Sequence, residues 1–150
     1  TLQRYKNVWA FKHPRPENFL RIAEQESGMV LDWYMNQWIE TMKVPDAGVD
    51  SVYTTGGNLA NIRLTRNGSL ALPVDVDVVL KNGTTLHYTV PLSAMFGHKD
   101  GFALAGPWNY TQKTFTFQVA VTAEQIARVV VDPASWTADA NRDDNVWEAP

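Results

Sequence analysis

The sequence contains no cysteine, which rules out disulfides, thiolate metal sites and cysteine nucleophiles and leaves the redox compartment, hence the localisation, undetermined. An excess of charge of one sign is also missing. Thirteen Lys and Arg stand against sixteen Asp and Glu, a formal net charge of -3. With no basic cluster, the chain has no electrostatic footprint for nucleic acid or anionic lipid. Histidine occurs only three times, at His13, His87 and His98, and no two of these fall within one helical turn. No apolar run approaches the ~20 residues that span a bilayer, and no charged, apolar, small-residue signal opens the chain. Its start, Thr1-Leu2-Gln3-Arg4-Tyr5, has no initiator Met, so a domain excised from a longer polypeptide or a processed N-terminus is expected.

What is present is the composition of a packed protein. Hydrophobic residues make up 45%, charged residues 19%, and there are six Trp, outside the range of disordered chains. A chain of 150 residues suits one domain, or one domain with a fragment, and buries roughly 68–70% of its unfolded surface without a metal or disulfide staple.

The first 43 residues predict helices. Pro16 fits a first turn and Gly28 a left-handed C-cap for a helix across Glu17 to Ser27, with Phe19, Ile22 and Ala23 on one face. A second helix is expected after Asp32, capped by its carboxylate, stapled by Leu31 and ended by Pro45. In it Tyr34, Trp38 and Met42 form one row and Met35 with Ile39 another. Beyond Pro45 the period changes from 3.6 to 2. Ala60, Ile62 and Leu64; Val74, Val76, Val78 and Leu80; Leu86, Tyr88 and Val90; and Phe115, Phe117, Val119 and Val121 each alternate with polar residues. Thr122 to Gln125 reads as a capping box for one helical turn, and Ile126 to Val131 as a last strand stopped by Pro133. After Trp136 the chain is polar, and irregular structure is expected.

Two loops, Arg66-Asn67-Gly68 and Lys81-Asn82-Gly83, join alternating segments. Two-residue turns would set apolar residues against polar ones, whereas three-residue loops with a left-handed glycine pair Leu64 with Leu70, Ile62 with Leu72, Val78 with Leu86 and Val76 with Tyr88. The second register also sets Asp77 beside His87. The expected fold is α+β: a helical segment over 1–44, a mainly antiparallel β-sandwich over 45–136 and a polar tail over 137–150.

The stretch FKHPRPENFLRIAEQESGMVLDWYMNQWIET, residues 11 to 41, resembles the end of the helical catalytic part of aminopeptidase-N-like gluzincin zinc metallopeptidases, and Trp9 upstream fits as well. NIRLTRNGSLALPVDVDVVLKNGTTLHYTVPL and VVVDPASWTADANRDDNVW are similar to the β-rich C-terminal region of related members, with a looser likeness over residues 95 to 113. The resemblance implies a segment that supports the catalytic domain of its own polypeptide. In that family the chemistry rests on H-E-x-x-H and a glutamate of a later helix, which hold zinc and supply the general base. An oxyanion-stabilising tyrosine and an amine-binding loop also lie upstream. None of these maps onto this chain, so the implied set of catalytic, cofactor-binding and metal-binding residues here is none, with zinc confined to the parent enzyme. Helices with more apolar rows than one sandwich can cover also lead us to expect a homodimer through residues 1 to 43 when the chain is alone.

Three constellations are candidates for chemistry. Asp75 and Asp77 share one strand face at roughly glycosidase spacing, and Asp77 with His87 resembles a base and its orienter, although no nucleophile is placeable beside them; a charged solvent face and a cross-strand pair are the plainer readings. Asp139, Asn141 and Asp143 follow D-x-N-x-D, but Asp144 stands where a calcium loop needs Gly and Pro150 where it needs Glu, which favours a polar tail pinned by Trp136 and Trp147. Trp108, Tyr110 and Trp136 are either a sugar-stacking platform or buried anchors. An independent module binding carbohydrate or protein, and a small hydrolase using Asp75, Asp77 and His87, therefore stand as alternatives to the supporting segment.

Overall fold

A computed structural model describes residues 1–150. Short helices lead into antiparallel strands arranged in two sheets, an α+β fold. The helices are α1 (Leu2–Trp9), α2 (Pro16–Ser27) and α3 (Asp32–Tyr34), the last continuing as a π-helical turn over Met35–Ile39. Pro16 occupies the first turn of α2, and Gly28 ends it at φ 69°, a left-handed cap that costs glycine nothing. Glu24 then accepts the Leu31 N–H at 2.8 Å, a bond that with Arg21 holds its carboxyl below the ordinary range and fixes the entry to α3.

The second helix departs from expectation. Asp32 does not cap it; the carboxylate accepts from Arg21 at 3.1 Å, and Leu31 stands at the N-cap. The helix also stops at Ile39 rather than near Pro45, so Met42 is exposed and outside the Tyr34–Trp38 row. Tertiary pairing decides this: the Val44 carbonyl accepts from Ser69 and Leu70 at 3.0 and 3.1 Å, and the Asp46 carbonyl from Asn67 and Gly68 at 3.0 and 3.1 Å. Residues 44–46 are thereby drawn into an extended run beside 67–70.

The strands are β1 (Ala47–Thr54), β2 (Ala60–Arg66), β3 (Val74–Leu80), β4 (Thr85–Val90), β5 (Ala103–Leu104), β6 (Thr114–Val119), β7 (Ile126–Val131) and β8 (Val146–Glu148). One sheet runs β1-β2-β6 and the other β5-β4-β3-β7-β8, antiparallel except for β4 with β5. Their inner faces share one core of Ile62, Leu64 and Phe117 from the first sheet and Val76, Val78, Val129 and Val131 from the second. The period-2 stripes read from the sequence are the lining of this sandwich.

The β3–β4 hairpin has the three-residue loop: Val78 faces Leu86, Val76 faces Tyr88 and Asp77 faces His87, with Gly83 at φ +87°. Gly83→Ala meets no atom within 4 Å, so only the backbone strain remains, and a loss of about 1 kcal/mol is expected by urea denaturation; an unchanged midpoint would contradict the left-handed turn. The other proposed hairpin does not form. Both edges of β2 are taken, Leu64 facing Val49 on β1 and Phe115 on β6, while Leu70 bridges Pro45. Gly68 is needed for close approach instead of a left-handed turn, since a Cβ there would lie 2.4 Å from the Val44 carbonyl oxygen.

Three strands escaped the sequence reading, the two-residue β5 among them. In β1 the pairing shifts between Val49 and Ser51, so the inward residues Val49 and Val52 are three apart and the alternation is broken by the bulge. In the tail, Val146–Glu148 pairs with β7 and closes the five-stranded sheet, so the expectation of irregular structure after Trp136 holds over 137–141 and fails at this strand. The capping box at Thr122 holds, with Gln125 accepting the Thr122 N–H at 2.9 Å.

Candidate functional site

The outer face of β3 and β4 carries the polar half of each alternation, and every charged group on it has a partner. Asp77 and His87 meet at 2.6 Å through Nδ1. Asp75 accepts from Lys99 at 2.7 Å, and the Lys99 ammonium lies 4.2 Å from the Phe102 ring centroid and 4.4 Å from that of Trp136. The two aspartates are therefore committed to separate ion pairs instead of forming an acid–base pair across a free gap. They are only 22% and 19% exposed, so the face is less solvated than its sequence implies. Lys99 and Phe102 arrive from the 96–102 segment, which no local pattern singles out.

Trp136 comes from the turn after β7. Buried Asp132 accepts the Trp136 N–H and the Thr137 N–H at 2.9 Å each, and the Thr137 hydroxyl at 2.6 Å. Asp132 and Pro133 are turn-forming residues, a signal in the sequence for this bend, and the Asp132 carboxylate reaches amides four and five residues further along the chain. Beneath the ring lies an open pocket of about 280 Å³, lined among others by Asp75, Thr89, Lys99 and Met95.

Trp108, Tyr110 and Trp136 do not share a surface, so they form no common platform. Trp108 is buried, stacks on Phe115 at 5.8 Å and donates to the Gln112 carbonyl at 3.1 Å. Tyr110 instead borders a cleft of about 400 Å³ between helices and sandwich, with Trp33, Asn36 and Leu92. Of the trio, only Trp136 is both exposed and beside the ion pairs.

The D-x-N-x-D segment is a strap. Asp139 accepts the Ala47 N–H at 3.2 Å and the Asn141 N–H at 3.1 Å, and Asn141 accepts the Asp143 N–H at 3.2 Å. Its side chains thus satisfy the backbone. Burial, followed by the neighbouring Asp144 and Asp139 carboxylates, pushes the Asp46 carboxyl above its ordinary range, and no three His, Asp or Glu side chains are grouped so as to hold a metal ion. No helix is long and apolar enough to cross a membrane.

The helical segment presents the other notable surface. Only Leu20 and Ile22 are buried within it, and its contact with the sandwich runs through Met29 and Trp33 on a small cluster of Ala71, Leu92 and Met95. Two hydrogen bonds fasten it there, Val30 N–H to the Met95 carbonyl at 2.8 Å and Ala71 N–H to Gln37 at 3.0 Å. On the outer side Phe19, Leu20, Ala23, Leu31, Met35 and Ile39 line an open apolar groove of about 520 Å³. No protein-family model, curated protein or solved structure matches the chain.

Proposed function

We propose that the chain is a non-catalytic C-terminal supporting segment of a zinc-dependent aminopeptidase-like metallopeptidase, docked through its helices on the catalytic domain of its own polypeptide. The observation that carries this reading is the groove of α2 and the Met35–Ile39 turn, almost wholly apolar and left open by the sandwich. A packed helix normally hides such a stripe against another element, and removing it from water supplies the drive for docking. The groove lies within residues 11 to 41, where the sequence resembles the metallopeptidase helical region.

Zinc, on this reading, is held by residues outside the chain. The groups present do not fit it: His87 is turned to Asp77, and neither His13 nor His98 joins a set of three donors. The sequence encoded upstream of Thr1 provides a direct check, because an H-E-x-x-H there supports the reading and its absence from the whole polypeptide overturns it. Aminoacyl-anilide hydrolysis by the purified chain is expected to stay at background with or without zinc.

The groove makes a further prediction, with a second copy standing in for the missing helices. Light scattering at graded concentrations should show a reversible dimer through the helical segment, and Ile39→Glu, placing a charge on a groove residue that is 61% exposed, should return it to monomer. A parent chain that remains monomeric at high concentration would show that the groove does not drive docking.

A further inference from the structure

We infer that Trp136, with the Asp75–Lys99 pair and the pocket beneath them, forms a binding site for a neutral sugar ring. The first observation is the ring itself, a tryptophan 75% exposed although the residue type is highly buried on average. The second is the turn that presents it. Asp132 and Ser135 both hold left-handed backbone conformations, at φ 49° and 55°, which cost a non-glycine residue free energy and cluster at ligand-binding positions. Asp132 is buried and fixes the Trp136 and Thr137 amides, so the exposed ring is held in place instead of being left loose.

The lining specifies the chemistry. Asp75 and Lys99 neutralise each other at 2.7 Å, and Asp132, which also lines the pocket, faces Arg142 at 3.9 Å, so no unpaired charge calls for an ionic ligand, while Asp75 and Lys99 together with Thr89 offer acceptors and donors at the pocket wall. Met29 and Met95 add apolar surface to the same pocket. Lys99 sits 4.4 Å from the Trp136 ring centroid, so a ligand can stack on at most the opposite ring face. A flat base gains most from stacking surfaces on both sides; a pyranose presents one apolar C–H face and a rim of hydroxyls, which one ring and adjacent polar groups satisfy. At about 280 Å³ the pocket falls just below the roughly 300–1,000 Å³ of drug-sized sites, which suits a single ring.

The test titrates soluble neutral hexasaccharides of glucose, xylose, mannose and galactose, and separately adenosine, into the full chain. The amide resonances of Thr89, Trp136 and Thr137 are followed. At least one hexasaccharide is expected to shift these signals saturably. Trp136→Ala should weaken that binding at least about tenfold with an unchanged melting midpoint, because the exposed ring contributes contact to ligand rather than to the core. Asp75→Asn should weaken it as well, and Trp136→Phe should retain part of it. The inference is overturned if no hexasaccharide shifts these signals, if adenosine does so in their place, or if Trp136→Ala binds as tightly as the parent.

Discussion

Asp132→Ala is expected to lower stability by about 3 kcal/mol, through two separable losses. The carboxylate accepts three hydrogen bonds, from the Trp136 amide, the Thr137 amide and the Thr137 hydroxyl, and its removal leaves these donors unpartnered in a half-buried turn. Alanine must also adopt φ 49°, a conformation that Asp and Asn tolerate better. Asp132→Asn keeps a carbonyl acceptor and that tolerance, so it should lose less than half as much. Urea denaturation of the two variants checks both statements; a loss below about 1 kcal/mol for the alanine variant would mean that the turn is held by something other than Asp132. Loss of the turn should also release the Trp136 ring and abolish any oligosaccharide binding.

Gly68→Ala should cost a similar amount, about 3 kcal/mol, for an unrelated reason. Its new Cβ would lie 2.4 Å from the Val44 carbonyl oxygen, 2.5 Å from the Asp46 nitrogen and 2.9 Å from the Pro45 carbonyl carbon. All three are backbone atoms of a segment fixed by hydrogen bonds from residues 67–70, so no side chain can swing aside and the pairing itself must open. Gly83→Ala is the natural control, since its Cβ points into open space. Equal losses at the two glycines would refute the close-approach argument. Because residues 44–46 connect the helices to β1, hydrogen exchange in 30–46 should quicken in the Gly68 variant before the β3–β4 hairpin is affected.

The contrast between these glycines marks where sequence reading succeeds. Both follow Asn in alternating surroundings, and the same local signal predicts a three-residue hairpin at each. At Gly83 the other partners, β7 on β3 and β5 on β4, take the opposite edges, and the expected register forms between β3 and β4. At Gly68 the edges of β2 are claimed by β1 and β6, partners far apart in sequence, and the local preference loses. In the same way, alternation exposed β2, β3, β4 and β6 but not β1, whose bulge displaces the inward valines, nor β5 and β8, whose two and three residues are too few to display a period.

The sequence by itself determined the α+β class, the inward faces of the main strands, the left-handed caps at Gly28 and Gly83, and the Asp77–His87 pairing. Each of these follows from neighbours along one strand or one turn, where period and glycine conformation leave little choice. Tertiary structure decided that Asp75 binds Lys99, that Trp108 is buried while Trp136 stands free, and that the helical segment stops at Ile39 with an open groove. Those outcomes depend on segments tens of residues apart being brought onto one face. Burial and ion pairing there are set by which surfaces the packed sheets leave uncovered, a property that no window of the chain contains.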